Sequence, residues 1–585
     1  MTSVTSFFTY TVDGDEQFQK QLTVEPIGDG VELVHLVLDA QTAVAPKPVT
    51  LHFTVPLVGV NGIWYPKADT VRTNHPGWVA PIETCLTVNA PVTCFFGGNT
   101  NRLTFAADDA MNVLALHSGA NEKTGNSYST ISFFSKPTPP LAHYEVTVRF
   151  DRREIPFYDA LADVAAWWET LDGCQPCDVP EYARLPMYST WYSYMQDVTA
   201  ADVERECRIA KDLGCYSVIT DDGWQCENVH NGYGLCGDWQ PSAAKMGNMA
   251  EHVARVHDMG MKYLLWYSVP YVGWNADCYG LFKDRTLRSV NYWDCDVLDP
   301  RYRETREYLI RTYEKAAEDW GLDGFKLDFV DQFLQPKAED EKPDLGRDET
   351  SVMLAADQLM TEVMKRLKTK NPDVMIEFRQ RYTGPRMRKF GNMFRAADCP
   401  NDPVMNRVRI VDIRLLCGQS AAHSDMVHWH VGESAETAAL NLINVLFSVP
   451  QISVRLAEYP ESHRQMLRFY LTFWKEHRDL LLDAKFRPLY PDLLYPVITA
   501  ERDGRMLAAV YGAQVVPASE GLQELILVNG CFEDGVFVDF GEDGGTFEAV
   551  EQDCLGQVTA RYFVQAEGVR KLSLRSAGVL TLKRV

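Results

Sequence analysis

Between Met187 and about residue 484, short apolar runs alternate with amphipathic stretches of helical period, and no other pattern in the chain restricts its fold so strongly. The runs are Met187–Trp191, Ser217–Thr220, Tyr263–Trp266, Gly324–Leu327, Val374–Phe378, Met393–Ala396, Met426–His430 and Gln451–Val454. Most are followed by a helix, expected over 202–213, 249–259, 303–320, 349–369, 407–418 and 436–447. Eight such strands in about 270 residues predict a (β/α)8 barrel closed behind an outer ring of helices. Thr199 and Asp202 have the spacing of a capping box opening the first helix.

At 585 residues the chain is too long for one core. Before the barrel, residues 31–38, 51–55 and 144–150 alternate apolar and polar positions, as strands of a sandwich do. A helix over Tyr158–Leu171 and a Pro-marked link follow. After a helix over Glu461–Leu482, alternation returns in 506–511, 524–528 and 579–582. The expected organisation is a multidomain α/β protein: an N-terminal β-sandwich with a helical linker (1–172), a catalytic (β/α)8 TIM barrel (173–484), and a small C-terminal antiparallel β-domain (485–585).

A formal charge of −23 argues against nucleic acid or an anionic membrane as partner, since either needs a basic surface, and favours a neutral substrate. Residues Met1–Ser6 carry neither a basic n-region nor the start of a long apolar h-region, and no eighteen apolar residues run together. The expected location is therefore cytoplasmic. The Cys residues are scattered without a compact framework and read as reduced, mostly buried thiols. Cys174-Gln175-Pro176-Cys177 has no second pair at zinc spacing, and Cys226 and Cys236 read as two free thiols.

Residues 321–328, Gly-Leu-Asp-Gly-Phe-Lys-Leu-Asp, deliver Asp328 to the C-terminal end of the fourth run, where barrels carry their chemistry. Met393-Phe394-Arg395-Ala396-Ala397-Asp398 repeats the arrangement, and two acids flanking one bond are the machinery of glycoside hydrolysis. A lone strand-end Asp is as readily the cap of the next helix. Asp402, in a Pro-rich turn before a helix, reads as such a cap and is the competitor of Asp398. The second run ends Asp221-Asp222-Gly223-Trp224: adjacent acids repel unless partners or a ligand's hydroxyls satisfy both, and Trp224 would cover a sugar's apolar face. Lys326, two residues before Asp328, shares its strand face and helps to keep it ionised.

In Trp191, Asp221-Asp222-Gly223-Trp224, Lys326-Leu327-Asp328 and Arg395-Ala396-Ala397-Asp398, and in the order of its parts, the chain resembles the retaining α-galactosidases of glycoside hydrolase families 27 and 36, more closely family 36. The resemblance implies Asp328 as nucleophile, Asp398 as acid/base, and Asp221 and Asp222 as the acids that hold a sugar's O4 and O6. It implies Trp191 and Trp266 at the pocket border, Lys326 and Arg395 among the sugar contacts, no cofactor, and a small oligosaccharide or glycoside as substrate; an oligomer is compatible with it. As the acid, Asp398 needs a raised pKa, which an ionised Asp328 nearby would favour.

The chain departs from the family after strand 5, where Glu377-Phe378-Arg379-Gln380-Arg381-Tyr382 replaces a Gly-rich turn with Cys and Arg, and after strand 3, where Trp266-Tyr267-Ser268-Val269-Pro270 lacks the family's acids. Arg379 or Arg381 would then meet an altered substituent at the 2- or 6-position, or pair with a structural acid such as Glu377. Two alternatives stay open: glycosyl transfer of the raffinose-synthase kind on the same site, and a metal-dependent barrel hydrolase built on His428 and His430, which share a strand face, with His423 or Asp425. Asp331 can reach the rim, whereas Asp323 belongs to the opposite end of its strand.

Overall fold

The computed structural model describes residues 6–67, 71–227, 232–542 and 544–585. The first five residues, on which the reading of the N-terminus partly rests, lie outside the described residues.

Eight parallel strands form the centre: β1 (Met187–Ser189), β2 (Ser217–Thr220), β3 (Lys262–Ser268), β4 (Gly324–Asp328), β5 (Met375–Arg379), β6 (Met393–Arg395), β7 (Ala421–His423) and β8 (Gln451–Ile452). Each pairs with its chain neighbour, and β1 pairs with β8. Bridges from His423 to Val449 and from Val427 to Ile452 bring β7 and β8 together, so the barrel is nearly closed. Around it lie α1 (Ala200–Leu213), α2 (Met249–Asp258), α3 (Arg303–Trp320), α4 (Val352–Lys370), α5 (Pro403–Arg414), α6 (Ala435–Ile443) and α7 (Glu461–Glu476). Thr199 caps α1 by accepting from the Asp202 amide at 3.2 Å.

Period-2 geometry sets what the barrel contains. Met187, Ile219, Leu264, Met375, Met393 and Ala421, each from a different strand, pack into one apolar plug. Two residues further along the same strands the inward positions become Asp221, Trp266, Glu377, Arg395 and His423, joined by Lys326 from β4, all of them buried. The upper half of the barrel is thus polar and charged.

Three features depart from the sequence expectation. The seventh strand is Ala421–His423 rather than Met426–His430. The buried Ser424-Asp425 pair ends the strand, because Asp425 is drawn sideways to Arg395 and to the Cys399 amide, and only Val427 of the expected run bridges to β8. A three-stranded sheet, Tyr271–Gly273, Thr286–Val290 and Cys295–Leu298, is inserted between β3 and α3. The expected helix 461–482 divides at His477 into α7 and a short second helix, Arg478–Asp483.

The N-terminal sandwich has a five-stranded and a six-stranded sheet, whose facing residues, Leu36, Phe53, Phe105 and Phe150 among them, form a separate core. The C-terminal sheets have seven and three strands and are mixed rather than purely antiparallel: Arg505–Val510 runs parallel to Glu524–Asn529, and Val515–Pro517 to Val536–Asp539. Among the described residues no helix is long and apolar enough to cross a membrane.

The three parts meet at one carboxylate. Asp412 of α5 pairs with Arg72 of the N-terminal sandwich, both side chains fully buried, and accepts from Trp64 Nε1 at 3.1 Å and from Tyr495 Oη at 3.3 Å. Burial pushes the Asp412 pKa up to about 6 against the pull of Arg72. Asp412→Ala leaves Arg72 buried and unpaired, and should cost about 3–5 kcal/mol in chemical denaturation. A loss below 1 kcal/mol would show that the junction does not depend on the pair.

Candidate active site

Asp328 ends β4 with its carboxylate buried and held on both oxygens. Oδ1 accepts from the Phe329 amide at 2.7 Å, from Arg379 Nε at 2.8 Å and from Tyr382 Oη at 2.9 Å; among the described residues Oδ2 accepts from Trp266 Nε1 alone, at 3.2 Å. Burial works to raise its pKa, but the charges of Arg379 and Lys326 outweigh it and hold the carboxyl below the ordinary value. Arg379 lies over the rings of Phe329 and Tyr382, at 5.3 and 5.0 Å, which fixes the guanidinium beside the carboxylate. It pairs with Asp328 rather than with Glu377.

Asp398 follows β6. Its side chain is 49% exposed, and Oδ1 accepts from Arg395 Nη2 at 2.8 Å. The expected raised pKa is not found. Burial raises it, but Arg395, Arg379 and Lys326 together bring it below the ordinary value. The nearby cations thus outweigh the effect of burial. Arg379 therefore acts electrostatically on both candidate catalytic acids.

Arg395 is 1% exposed: Nη2 donates to Asp398, Nη1 to Asp425 and the Ala396 carbonyl, and Nε, 3.7 Å from Glu377 Oε1, has no hydrogen-bond partner among the described residues. Expected as a sugar contact, it instead positions Asp398. Glu377 is fully buried and accepts from Gln451 Nε2; burial raises its pKa, and Arg395 and Lys326 restrain it.

Asp221 pairs with Lys326 Nζ, and its amide donates to Thr190 Oγ1 at 2.9 Å. Asp222 accepts from Gln196 Nε2 and Gln225 Nε2, both at 2.7 Å, and burial lifts its pKa to about 6 despite those donors. Gly223 makes this possible: its φ is +115°, and a Cβ there would stand 2.5 Å from the Gln196 Cα. The mutual repulsion of adjacent acids is thus resolved by a lysine on one and two amides on the other.

Trp224 is not in the pocket. It is fully buried, donates to the Trp266 carbonyl at 2.8 Å, and packs against Trp239, Tyr267 and Trp320. Its ring went to the core because Gly223 turns the chain back behind β3. Trp266 is 2% exposed and reaches the site through its indole nitrogen, with Tyr233 stacked on it at 6.0 Å. Trp191 begins the short helix Trp191–Tyr194 after β1 and is half-buried at the mouth. Arg381 turns away from Asp328: its side chain is 53% exposed, with Asp331 at 3.5 Å, at the rim.

The histidines do not converge. His423 bonds the Ala183 carbonyl at 2.8 Å beneath the site, His428 the Ser453 carbonyl at 3.0 Å, and His430 the Gly432 amide in its own turn. Among the described residues no group of three His, Cys, Asp or Glu side chains is placed to hold a metal ion. Asp323 lies at the far end of β4, bonded to His257 and Lys262. Sequence reasoning missed Tyr382 as a ligand of Asp328, Gln196 as one of Asp222, and Tyr192, which donates to Asp425 at 2.8 Å.

A (β/α)8 barrel that gathers carboxylates from the ends of β2, β4 and β6 around paired cations is the architecture of a glycoside hydrolase. The family model described as Melibiase matches residues 182–483, over half of the chain, and the chain belongs to that family. The bifunctional alpha-galactosidase/sucrose kinase AgaSK of Mediterraneibacter gnavus is 26% identical over 205 residues, 33% of this chain and 20% of that protein. Alpha-galactosidase 2 of Pediococcus pentosaceus is 27% identical over 157 residues, 26% of this chain and 22% of that protein. The matches thus span about a fifth of those relatives' lengths. Among solved structures, an alpha-galactosidase from Lactobacillus brevis superposes with a TM-score of 0.63 at 14% identity, covering 99% of this chain and 85% of that one. The GH36 alpha-galactosidase AgaA from Geobacillus stearothermophilus gives 0.61 at 15% identity, over 95% and 80%. Both show the same fold.

Asp402 is the N-cap of α5, accepting from the Met405 amide at 2.9 Å. Asp402→Ala should therefore destabilise the protein by about 1 kcal/mol in urea, and Asp402→Asn, which keeps the acceptor, should recover most of that. Equal losses in the two variants would mean that the side chain does not act as a cap.

Proposed function

We propose that the chain is a retaining, exo-acting α-glycosidase with a preference for α-galactosides, working through a covalent glycosyl-enzyme. The observation that carries the reading is the asymmetric holding of Asp328: three donors fix Oδ1, while Oδ2, with one long contact, keeps lone pairs for attack. Support comes also from relatives. AgaA variants with one aspartate replaced hold raffinose in one structure and stachyose in another, and the two replaced aspartates are seventy positions apart, the separation of Asp328 and Asp398.

In the first step Asp328 Oδ2 forms a bond to the anomeric carbon as the bond to the leaving oxygen breaks. The electron pair of that bond stays on the oxygen, which takes the proton of Asp398. Asp328 becomes a neutral ester and Asp398 a carboxylate. The negative charge moves from one acid to the other, and Arg379, whose charge acts on both, faces it before and after. In the second step Asp398 takes a proton from water as the oxygen attacks the anomeric carbon, and Asp328 leaves with its electron pair. The α configuration is retained. Asp221 and Asp222 bind the sugar's O4 and O6, exchanging bonds to Lys326, Gln196 and Gln225 for bonds to hydroxyls. Arg379, bonded to the nucleophile, stands nearest to the substituent at C2.

Aryl α-galactoside should be hydrolysed far better than aryl α-glucoside, by up to about 10⁴-fold if a wrong O4 leaves buried acids unpaired. Asp328→Ala should abolish this turnover, and added azide should restore part of it as the β-glycosyl azide. Equal hydrolysis of the glucoside removes the galactose preference; near wild-type turnover in Asp328→Ala removes the nucleophile.

The protonation of Asp398 carries a further expectation. The acid must be protonated for glycosylation, so kcat/KM falls as pH rises through its free-enzyme pKa, which the cations lower. Arg395→Gln removes the nearest cation, raises that pKa and should move the alkaline limb of the kcat/KM profile to higher pH. A limb that stays in place would detach Asp398 from the acid role.

A further inference from the structure

Tyr382 is fully buried, and its hydroxyl has two partners: it donates to Asp328 Oδ1 at 2.9 Å and accepts from the Phe329 amide at 3.1 Å. The loop after β5 holds the ring in place. The Tyr382 amide donates to the Arg379 carbonyl and the Thr383 amide to the Arg381 carbonyl, both at 2.8 Å, and the sandwich fixes the same turn through the Asn89 amide, 2.8 Å from the Arg381 carbonyl. On the other side Phe329 takes a φ of +63°, rare outside glycine, which turns its amide back onto the carboxylate of the preceding residue at 2.7 Å. Burial and the charge of Asp328 hold the Tyr382 pKa well above the ordinary value, so the hydroxyl keeps its proton and serves as a donor.

Tyr382, the Phe329 amide and Arg379 thus meet on Oδ1, the oxygen that attack through Oδ2 leaves free. A hydrogen bond to an ionised acceptor is roughly twice as strong as one to a neutral acceptor. On the double-displacement reading, Oδ1 shares a negative charge in the free enzyme and is the carbonyl oxygen of a neutral ester in the glycosyl-enzyme. The donors therefore favour the carboxylate over the ester. Only an interaction that strengthens on the way to a transition state accelerates that step, so these donors oppose formation of the ester and assist its breakdown. Arg379 acts on Asp398 as well, and the amide belongs to the backbone; the Tyr382 hydroxyl is the donor whose effect can be separated.

We propose that Tyr382 is a step-selective residue of the site, whose hydroxyl receives the charge of the departing carboxylate and accelerates hydrolysis of the glycosyl-enzyme but not its formation. In that step the water oxygen bonds to the anomeric carbon and a water proton passes to Asp398. The bond from that carbon to Asp328 Oδ2 breaks, and its electron pair spreads onto Oδ1, where Tyr382 meets it. The inference rests on the double-displacement reading of Asp328.

The test uses the full-length chain and 5-fluoro-α-galactosyl fluoride, a reagent whose glycosyl-enzyme hydrolyses slowly. Once excess reagent is removed, the return of aryl α-galactosidase activity measures ester hydrolysis alone, whereas the preceding inactivation measures ester formation. Tyr382→Phe should slow the return about tenfold, the difference between a hydrogen bond to a charged and to a neutral acceptor, and should leave inactivation as fast or faster. With a dinitrophenyl α-galactoside the same variant should lower kcat and KM together, and peptide mapping at steady state should find a hexosyl unit on Asp328. A tyrosine that merely supports the fold would slow inactivation instead. If Tyr382→Phe fails to fold, replacement of Tyr382 by 3-fluorotyrosine, a stronger donor of nearly equal size, decides, because the return should then be faster than in the wild type. Equal rates of return, or inactivation slowed as much as the return, overturn the inference. A wild type that the reagent leaves unlabelled at Asp328 overturns the double-displacement reading itself, and the inference falls with it.

Discussion

The pairing of buried cations with buried carboxylates inside the upper barrel is the constraint on which the site depends. Lys326, Arg379 and Arg395 face Asp221, Asp328, Asp398, Asp425 and Glu377 in a space closed below by an apolar plug. Taking any of these ions out of water unaccompanied would cost several kcal/mol, so no single member can be regarded apart from its partner. The pairing also decides which acid is free to react. Asp221 and Asp222 are satisfied by Lys326 and by amides, Asp425 by Arg395, Tyr192 and the Cys399 amide, whereas Asp398 keeps one contact and half of its surface in solvent.

Those cations also explain why the acidity of Asp398 runs opposite to the expectation. A carboxylate close to another carboxylate is ordinarily harder to ionise. Here Arg395 touches Asp398 directly, and the charges of Arg395, Arg379 and Lys326 together hold its carboxyl below the ordinary value. The acidity of a carboxylate in such a place is set by how the cations are shared.

What the sequence made legible was whatever depends on local period. Strand alternation placed Lys326 and Asp328 on one face, the ends of β2, β4 and β6 gave Asp221, Asp328 and Asp398, and the Thr199–Asp202 spacing gave the α1 cap. The remainder depends on partners distant in the chain. Tyr382 meets Asp328 across 54 positions and Gln196 meets Asp222 across 26, and neither leaves a periodic trace. Trp224 misled because a tryptophan after two acids looks the same whether its ring faces a sugar or, as here, Trp239 and Trp320. The run at 426–430 misled similarly: it alternates like a strand, but the pull of Asp425 toward Arg395 ends β7 before it begins.

Arg379 and Arg381 are two residues apart, but the loop after β5 sends them to different tasks. Arg379 is clamped over Phe329 and Tyr382 against Asp328, and Arg381 is turned outward to Asp331 and to the sandwich. A Gly-rich turn would leave the space beside Asp328 open. A guanidinium there fills part of it, donates a hydrogen bond and brings a charge that the carboxylate balances. The loop therefore holds one cation inside the barrel mouth, through Arg379, and one at the rim, through Arg381. The Asp412–Arg72 junction joins the sandwich to the same barrel, so the N-terminal part is held to the rim by a buried ion pair as well as by the backbone bond from Asn89 to Arg381.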